Sequence, residues 1–264
     1  MTKAWANELS PAAALKIPDL RIGMLVPSSN TALEPATAAL TFPVSDRVGV
    51  HFSRFEVTRI ALDHQADAQF SMEPILKAAR LLADAKVSVI AWNGTSASWR
   101  GFDTDDALCR EIEQSTGCPA TSAIVGLNSA LRAFGTRRLG LVTPYTEDVE
   151  AAIIANYATI GIDIVAARRE NLQDNYSFAD VPPDRVAEMC REVAAQGVDA
   201  VAIVCTNMRG PLIAPQIEAE FGIPVIDSIA VTLWGTLNML GIDYSVLAPF
   251  GQLFKVTSDD PERL

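Results

Sequence analysis

The chain has 264 residues, 49% hydrophobic and 20% charged, with a formal net charge of −11. That length and apolar content supply the core of one large or two small domains, and the acidic balance argues against nucleic acid and membrane surfaces as partners, while a small acid held by local dipoles remains admissible. Four cysteines (Cys109, Cys118, Cys190, Cys205) and two histidines (His51, His64) lack the spacing of a zinc site or a disulfide framework, so a cytoplasmic protein is expected.

Residues 1–18 are Ala-rich but interrupted by Glu8, Pro11 and Lys16, a pattern for a terminal arm rather than a signal peptide. Arg21–Val26 reads as a first strand and is followed by the hydroxyl- and amide-rich turn Pro27-Ser28-Ser29-Asn30-Thr31, with a helix opening near Leu33-Glu34-Pro35. Val48–Val57 alternates as a strand, where His51 and Arg54 are expected to be face residues without chemistry, and Met72–Ala85 has a helical period. Val87–Ala91 is a strand ending in Trp92-Asn93-Gly94-Thr95-Ser96. A helix over about Thr104–Gln114, a short strand at Gly117–Ser122 and a helix over Ala123–Phe134 complete the first half.

The pattern then restarts. Arg138–Thr143 is a strand, Pro144-Tyr145-Thr146 precedes a helix through Tyr157, and Ile162–Ala166 is a strand. Glu170–Ala179 is a polar loop with Asn175, and Asp184–Gln196 is helix. Asp199–Val204 is a strand running into Cys205-Thr206-Asn207-Met208-Arg209-Gly210, and Ile229–Leu240 is the last helix before a polar tail from Ser258 to Leu264. Gly23 and Pro27 match Gly140 and Pro144 at an offset of 117. Gly94-Thr95 matches Cys205-Thr206 at 111, and Gly117-Cys118-Pro119 matches Gly222-Ile223-Pro224 at 105. Strand–helix alternation with an internal repeat predicts an α/β protein of two pseudo-symmetric Rossmann-like halves, each with a parallel four-stranded sheet, enclosing an interdomain cleft. The boundaries are placed at 19–125 and 126–240, with part of the C-terminal helix returning to the first half, and with 1–18 and 241–264 as terminal arms.

Ligands in such folds sit at the carboxyl ends of strands. The turns after Val26, Trp92, Thr143 and Val204 all lie there, so Ser28, Asn30, Gly94, Thr95, Ser96, Tyr145, Cys205, Thr206 and Asn207 can share one cleft. Capping and turn use remain open for Ser28, Asn30, Thr95, Ser96 and Asn207, and structural packing for Tyr145. Asn175 reads as loop packing, and Arg100 and Arg209 as a hold on a second carboxylate or as solvated surface. The glycine after Cys205 predicts a helix N-terminus there, which would favour a carboxylate and lower the thiol pKa toward neutrality.

Taken together, these turns resemble the Asp/Glu racemase superfamily over nearly the whole chain. Pro27–Thr31 with Glu34-Pro35, and Cys205-Thr206-Asn207, resemble maleate cis-trans isomerases. Gly94-Thr95-Ser96 with Arg100-Gly101, and Tyr145 with Glu147-Asp148-Val149, resemble arylmalonate decarboxylase. The overall pattern is also similar to the ectoine-utilisation branch. The resemblance implies an enzyme without a cofactor, working as a homodimer on a small carboxylate through an enediolate. Thr95, Ser96, Tyr145 and the Thr206 turn would cradle its oxygens, with Cys205 as the single acid/base. Racemases and isomerases place a cysteine in each half, but the first-half position here is Gly94, as in the decarboxylases. Decarboxylation, cis-trans isomerisation, an ectoine-pathway racemisation or isomerisation, and non-catalytic binding of a small acid are all consistent with these residues.

Overall fold

A computed structural model describes residues 17–258 and Leu264; the expected arm at 1–18 and the tail after Ser258 fall largely outside the described residues. In the first half, strands β1 (Leu20–Pro27), β2 (Val48–Phe55), β3 (Val89–Trp92) and β4 (Ala120–Ser122) form a parallel sheet in the order β2-β1-β3-β4. In the second, β5 (Arg138–Thr143), β6 (Asp163–Arg169), β7 (Ala200–Ile203) and β8 (Val225–Asp227) repeat that order as β6-β5-β7-β8. The central strands are almost continuously apolar and fully buried, as parallel strands covered on both faces must be.

Helices α1 (Leu33–Thr41), α2 (His64–Ala68), α3 (Met72–Asp84), α4 (Ala97–Arg100), α5 (Asp103–Thr116) and α6 (Ala123–Ala133) accompany the first sheet. The second half adds α7 (Glu147–Thr159), α8 (Pro183–Ala194), α9 (Ala214–Phe221) and α10 (Ser228–Met239). The amphipathic α3 and α8 bury Leu82 and Val193 under their sheets. Gly117 and Gly222 end α5 and α9 in the left-handed conformation (both φ +72°), which glycine adopts without a Cβ penalty.

Helix α10 is buried around its whole circumference from Ser228 to Leu237. It leaves the second sheet at β8, packs along α6, and reaches α1, β3 and β4 of the first. Its N-terminus is capped by the Asp227 carboxyl group, whose Oδ1 accepts from the Ile229 and Ala230 amides at 2.7 and 3.1 Å.

Three elements depart from expectation. Strand β6 runs on to Arg169 because Arg168 and Arg169 are ion-paired, to Glu192 and to Glu150, and so tolerate the sheet edge. The short α4 interrupts what the sequence suggests is a turn. The helix expected to open at Gly210 starts only at Ala214, with Pro215 in its first turn.

Candidate active site

The carboxyl ends of β1, β3, β5 and β7 face one another across the seam between the two sheets. At its centre Thr95 Oγ1 and the Tyr145 hydroxyl are 2.7 Å apart, joining the halves in a bond that either atom can donate. The Tyr145 hydroxyl also lies close enough to the Cys205 thiol to favour its thiolate, and the Asn207 amide donates to Cys205 Sγ at 3.3 Å. Tyr145 is wedged by edge-on rings, Trp99 at 5.2 Å and Phe178 at 5.5 Å, which fix its hydroxyl. Thr95, Tyr145 and Cys205, predicted to converge, therefore do so, and all three are at least 96% buried.

The electrostatics differ from expectation. Because α9 begins well beyond Cys205, its N-terminus does not lie at the sulfur. Burial instead pushes the thiol up to about 12, against the opposing pull of the Asn207 amide and the Tyr145 hydroxyl. Burial likewise lifts Tyr145 well above its ordinary value, with the neighbouring thiol adding to the rise. At neutral pH both groups hold their protons. The arrangement is that of a weak acid whose thiolate, once formed, is met by an amide and a phenol. It is suited to protonating a strongly basic carbon rather than to resting as a nucleophile.

Around this trio the amide and hydroxyl side chains bind the halves together. Asn30 Oδ1 accepts from the Ala32 and Leu33 amides at 3.1 and 2.9 Å, the capping role open from sequence, while its Nδ2 donates across the seam to Thr206 O at 2.9 Å and Thr206 Oγ1 at 3.3 Å. Thr206 Oγ1 donates to Asn93 O at 2.8 Å. Asn207 Oδ1 accepts from the Thr31 and Ala32 amides, and its Nδ2 donates to Asn175 O. Both asparagines thus spend their side chains on the protein. Ser28 Oγ lies outside the trio, exchanging bonds with Val57 O at 3.4 Å and the Val57 amide at 3.2 Å.

Ser96 begins α4 without capping it, and no hydrogen bond of its hydroxyl is found among the described residues, so capping does not account for it. Gly94 lies under Trp92: a Cβ built on it would fall 1.9 Å from the indole Cζ2.

Four residues passed over or discounted in the sequence also belong here. Asn93 Oδ1 is buried without a partner beside the Thr206 contact; its place directly before Gly94 was the available signal. Arg54, expected to be a bland strand-face residue, donates to Ser28 O at 2.8 Å and Asn30 O at 3.0 Å while pairing with Glu34, and so clamps the first turn. Asn175 Nδ2 donates to Ser29 Oγ at 2.7 Å. Trp92 brackets the glycine turn in the sequence, a place open equally to a pocket wall and to packing, and its ring folds over Gly94. Arg209 donates to Val181 O at 3.0 Å, and Arg100 stacks over Phe70 at 5.3 Å. Cys109 and Cys190 are buried, as expected of core cysteines. Among the described residues, no group of three or more His, Cys, Asp or Glu stands close enough to share a metal ion, and no helix is long and apolar enough to cross a membrane.

Comparisons with known proteins fit this geometry. The family model described as arylmalonate decarboxylase matches residues 22–254. The chain is 26% identical to the arylmalonate decarboxylase of Bordetella bronchiseptica, over 88% of this chain and 95% of that protein. It is 27% identical to the maleate isomerase of Nocardia farcinica, over 86% and 92% respectively. Among solved structures, the Gly74Cys-Cys188Ser mutant of arylmalonate decarboxylase in its liganded form superposes with a TM-score of 0.76 at 25% identity, covering 89% of this chain and 98% of that one. These relatives are enzymes, a decarboxylase and a cis-trans isomerase, and this chain is an enzyme of their kind. With the match spanning both sheets and all four turns of the seam, the chain belongs to the arylmalonate decarboxylase family, in the Asp/Glu racemase-like branch that its motifs resemble.

Proposed function

We propose that this enzyme decarboxylates a small malonate-type acid without a cofactor and protonates the resulting enediolate on one face from Cys205. In the proposed step the bond to the leaving carboxylate breaks and CO2 departs. The electron pair stays on the α-carbon and spreads onto the remaining carboxylate, and the Cys205 S–H gives its proton to that carbon. Solvent then reprotonates the thiolate. Thr95, Ser96, Tyr145 and the Thr206 turn hold the enediolate oxygens, each donor contributing on the order of 3 kcal/mol. Asn30 and Asn207 hold the two turns that border the acid in place across the seam, and Ser28 belongs to the first of these turns.

The observation that carries this reading is the buried Cys205 thiol beside the Tyr145–Thr95 pair that bridges the halves. A second reading, cis-trans isomerisation of a maleate-type acid, is favoured by the Asn207 main-chain amide on the thiol and by the Asn30 side-chain amide on the adjoining Thr206, since loss of CO2 is helped by a dry, apolar surround.

Incubating the wild type and Cys205→Ser with malonates and with maleate in D2O separates them. Release of CO2 with one deuterated enantiomer, reduced about 1,000-fold in Cys205→Ser with an unchanged melting temperature, is expected. Fumarate without CO2 selects isomerisation. Binding without any product leaves an acid-binding protein, and full turnover in Cys205→Ser removes the thiol from the chemistry.

A further inference from the structure

The indole of Trp92 lies against Gly94: an added Cβ would fall 1.9, 2.2 and 2.6 Å from Cζ2, Cε2 and Cη2 of the ring, far inside any real contact. Trp92 also lines a cavity of about 210 Å³, with Phe70, Ile75 and Leu108 among its apolar walls and Arg100 and Thr104 among its polar ones. The ring is held by Phe55, with centroids 5.1 Å apart, and is 1% exposed. Ser96, two residues beyond Gly94 on the donor turn, borders the cavity as well. At about 30 Å³ per water, the cavity has room for roughly seven small groups, and its orphaned polar atom is Asp105 Oδ2.

From this arrangement, and resting on the functional reading above, we infer that Trp92 is the specificity-determining residue that limits the substrate's substituent on the Gly94 side. Gly94 and Cys205 hold equivalent places (205 − 94 = 111) and are linked through the adjacent Thr206–Asn93 bond. An acid seated against the Cys205 thiol therefore turns its other side toward Gly94, where the indole restricts the room for a substituent. With a smaller residue at 92, the ring no longer separates Gly94 from the cavity, and longer substituents enter, their tips within reach of Arg100, Thr104 and Asp105 on its lining.

Two measurements test this. In the wild-type background Gly94→Ala should lower the melting temperature by about 5–10 °C, the overpacking expected of a Cβ driven into a ring, and in Trp92→Leu by no more than about 2 °C; equal losses in both backgrounds would overturn the contact. The second compares methylmalonate with butylmalonate, by turnover, or by calorimetric affinity where nothing turns over. The wild type should prefer the smaller acid at least tenfold, and Trp92→Leu should shrink that preference at least tenfold. Trp92→Phe serves if the leucine variant does not fold, since it withdraws the second ring while keeping the stack on Phe55. An unaltered size ratio with activity intact refutes the inference alone. Binding of neither acid refutes it together with the reading beneath it.

Discussion

Trp92 and Ile203 occupy the same place in the two halves, the last residues of β3 and β7, separated by the repeat offset of 203 − 92 = 111. Trp92 folds its ring over the residue two positions on, which is therefore a glycine. Ile203 turns aside, its Cδ1 2.8 Å from where a Cβ on Gly210 would lie, and the residue two positions on carries a thiol. One strand end presents bare backbone and the other a proton donor. A duplicated scaffold thus acquires a handed site by exchanging side chains at the ends of equivalent strands, with the sheets themselves unchanged.

Removing the hydroxyl that spans both halves should break this asymmetry most severely. In Tyr145→Phe, Thr95 and Cys205 lose their shared partner, and turnover is expected to fall about 100-fold with little change in melting temperature; a variant within a few-fold of wild type would take the phenol out of the site. Thr206→Val tests the seam beside the thiol. It deletes the bonds to Asn93 O and Asn30 Nδ2, worth about 2 kcal/mol together, so calorimetry should show a melting temperature about 4–8 °C lower, and no shift would mean the halves are held by apolar packing alone.

The smallest effect concerns the buried carboxyls that the halves also share, Asp105 in the first and Asp227 in the second. Burial raises each from the ordinary carboxylate value of 3.8 to about 7. Their folded forms keep a proton that the unfolded chain releases near pH 4. The stability they lend is complete below that pH and is lost as pH rises through about 7. Asp105→Asn stays neutral throughout, so it should melt about 2–5 °C higher than wild type at pH 8 and match it near pH 4. Parallel melting profiles between pH 4 and 8 would show that Asp105 is ionised in the folded protein.

The repeat was legible because glycine and proline mark backbone conformations: Gly117 and Gly222 recur as left-handed helix ends. Strand ends were legible from apolar runs, and with them the meeting of Thr95, Tyr145 and Cys205. What escaped depends on where long side chains travel after the backbone is set. Arg54 looks like any strand arginine until it is seen to reach the carbonyls of Ser28 and Asn30. Likewise the thiol's proton affinity follows from burial and from a helix that starts late, at Ala214, neither of which a glycine after a cysteine reveals.

The path of α10 has a consequence for how the molecule comes into being. The helix that covers β3 and β4 is encoded at residues 228–239, after both sheets. During synthesis from the N-terminus the first sheet emerges early and lacks the α10 cover on β3 and β4 until the last helix clears the ribosome. Newly made chains are most open to mispairing in that interval, and a stop codon shortly before Ser228 would strip its cover from the half that was made first.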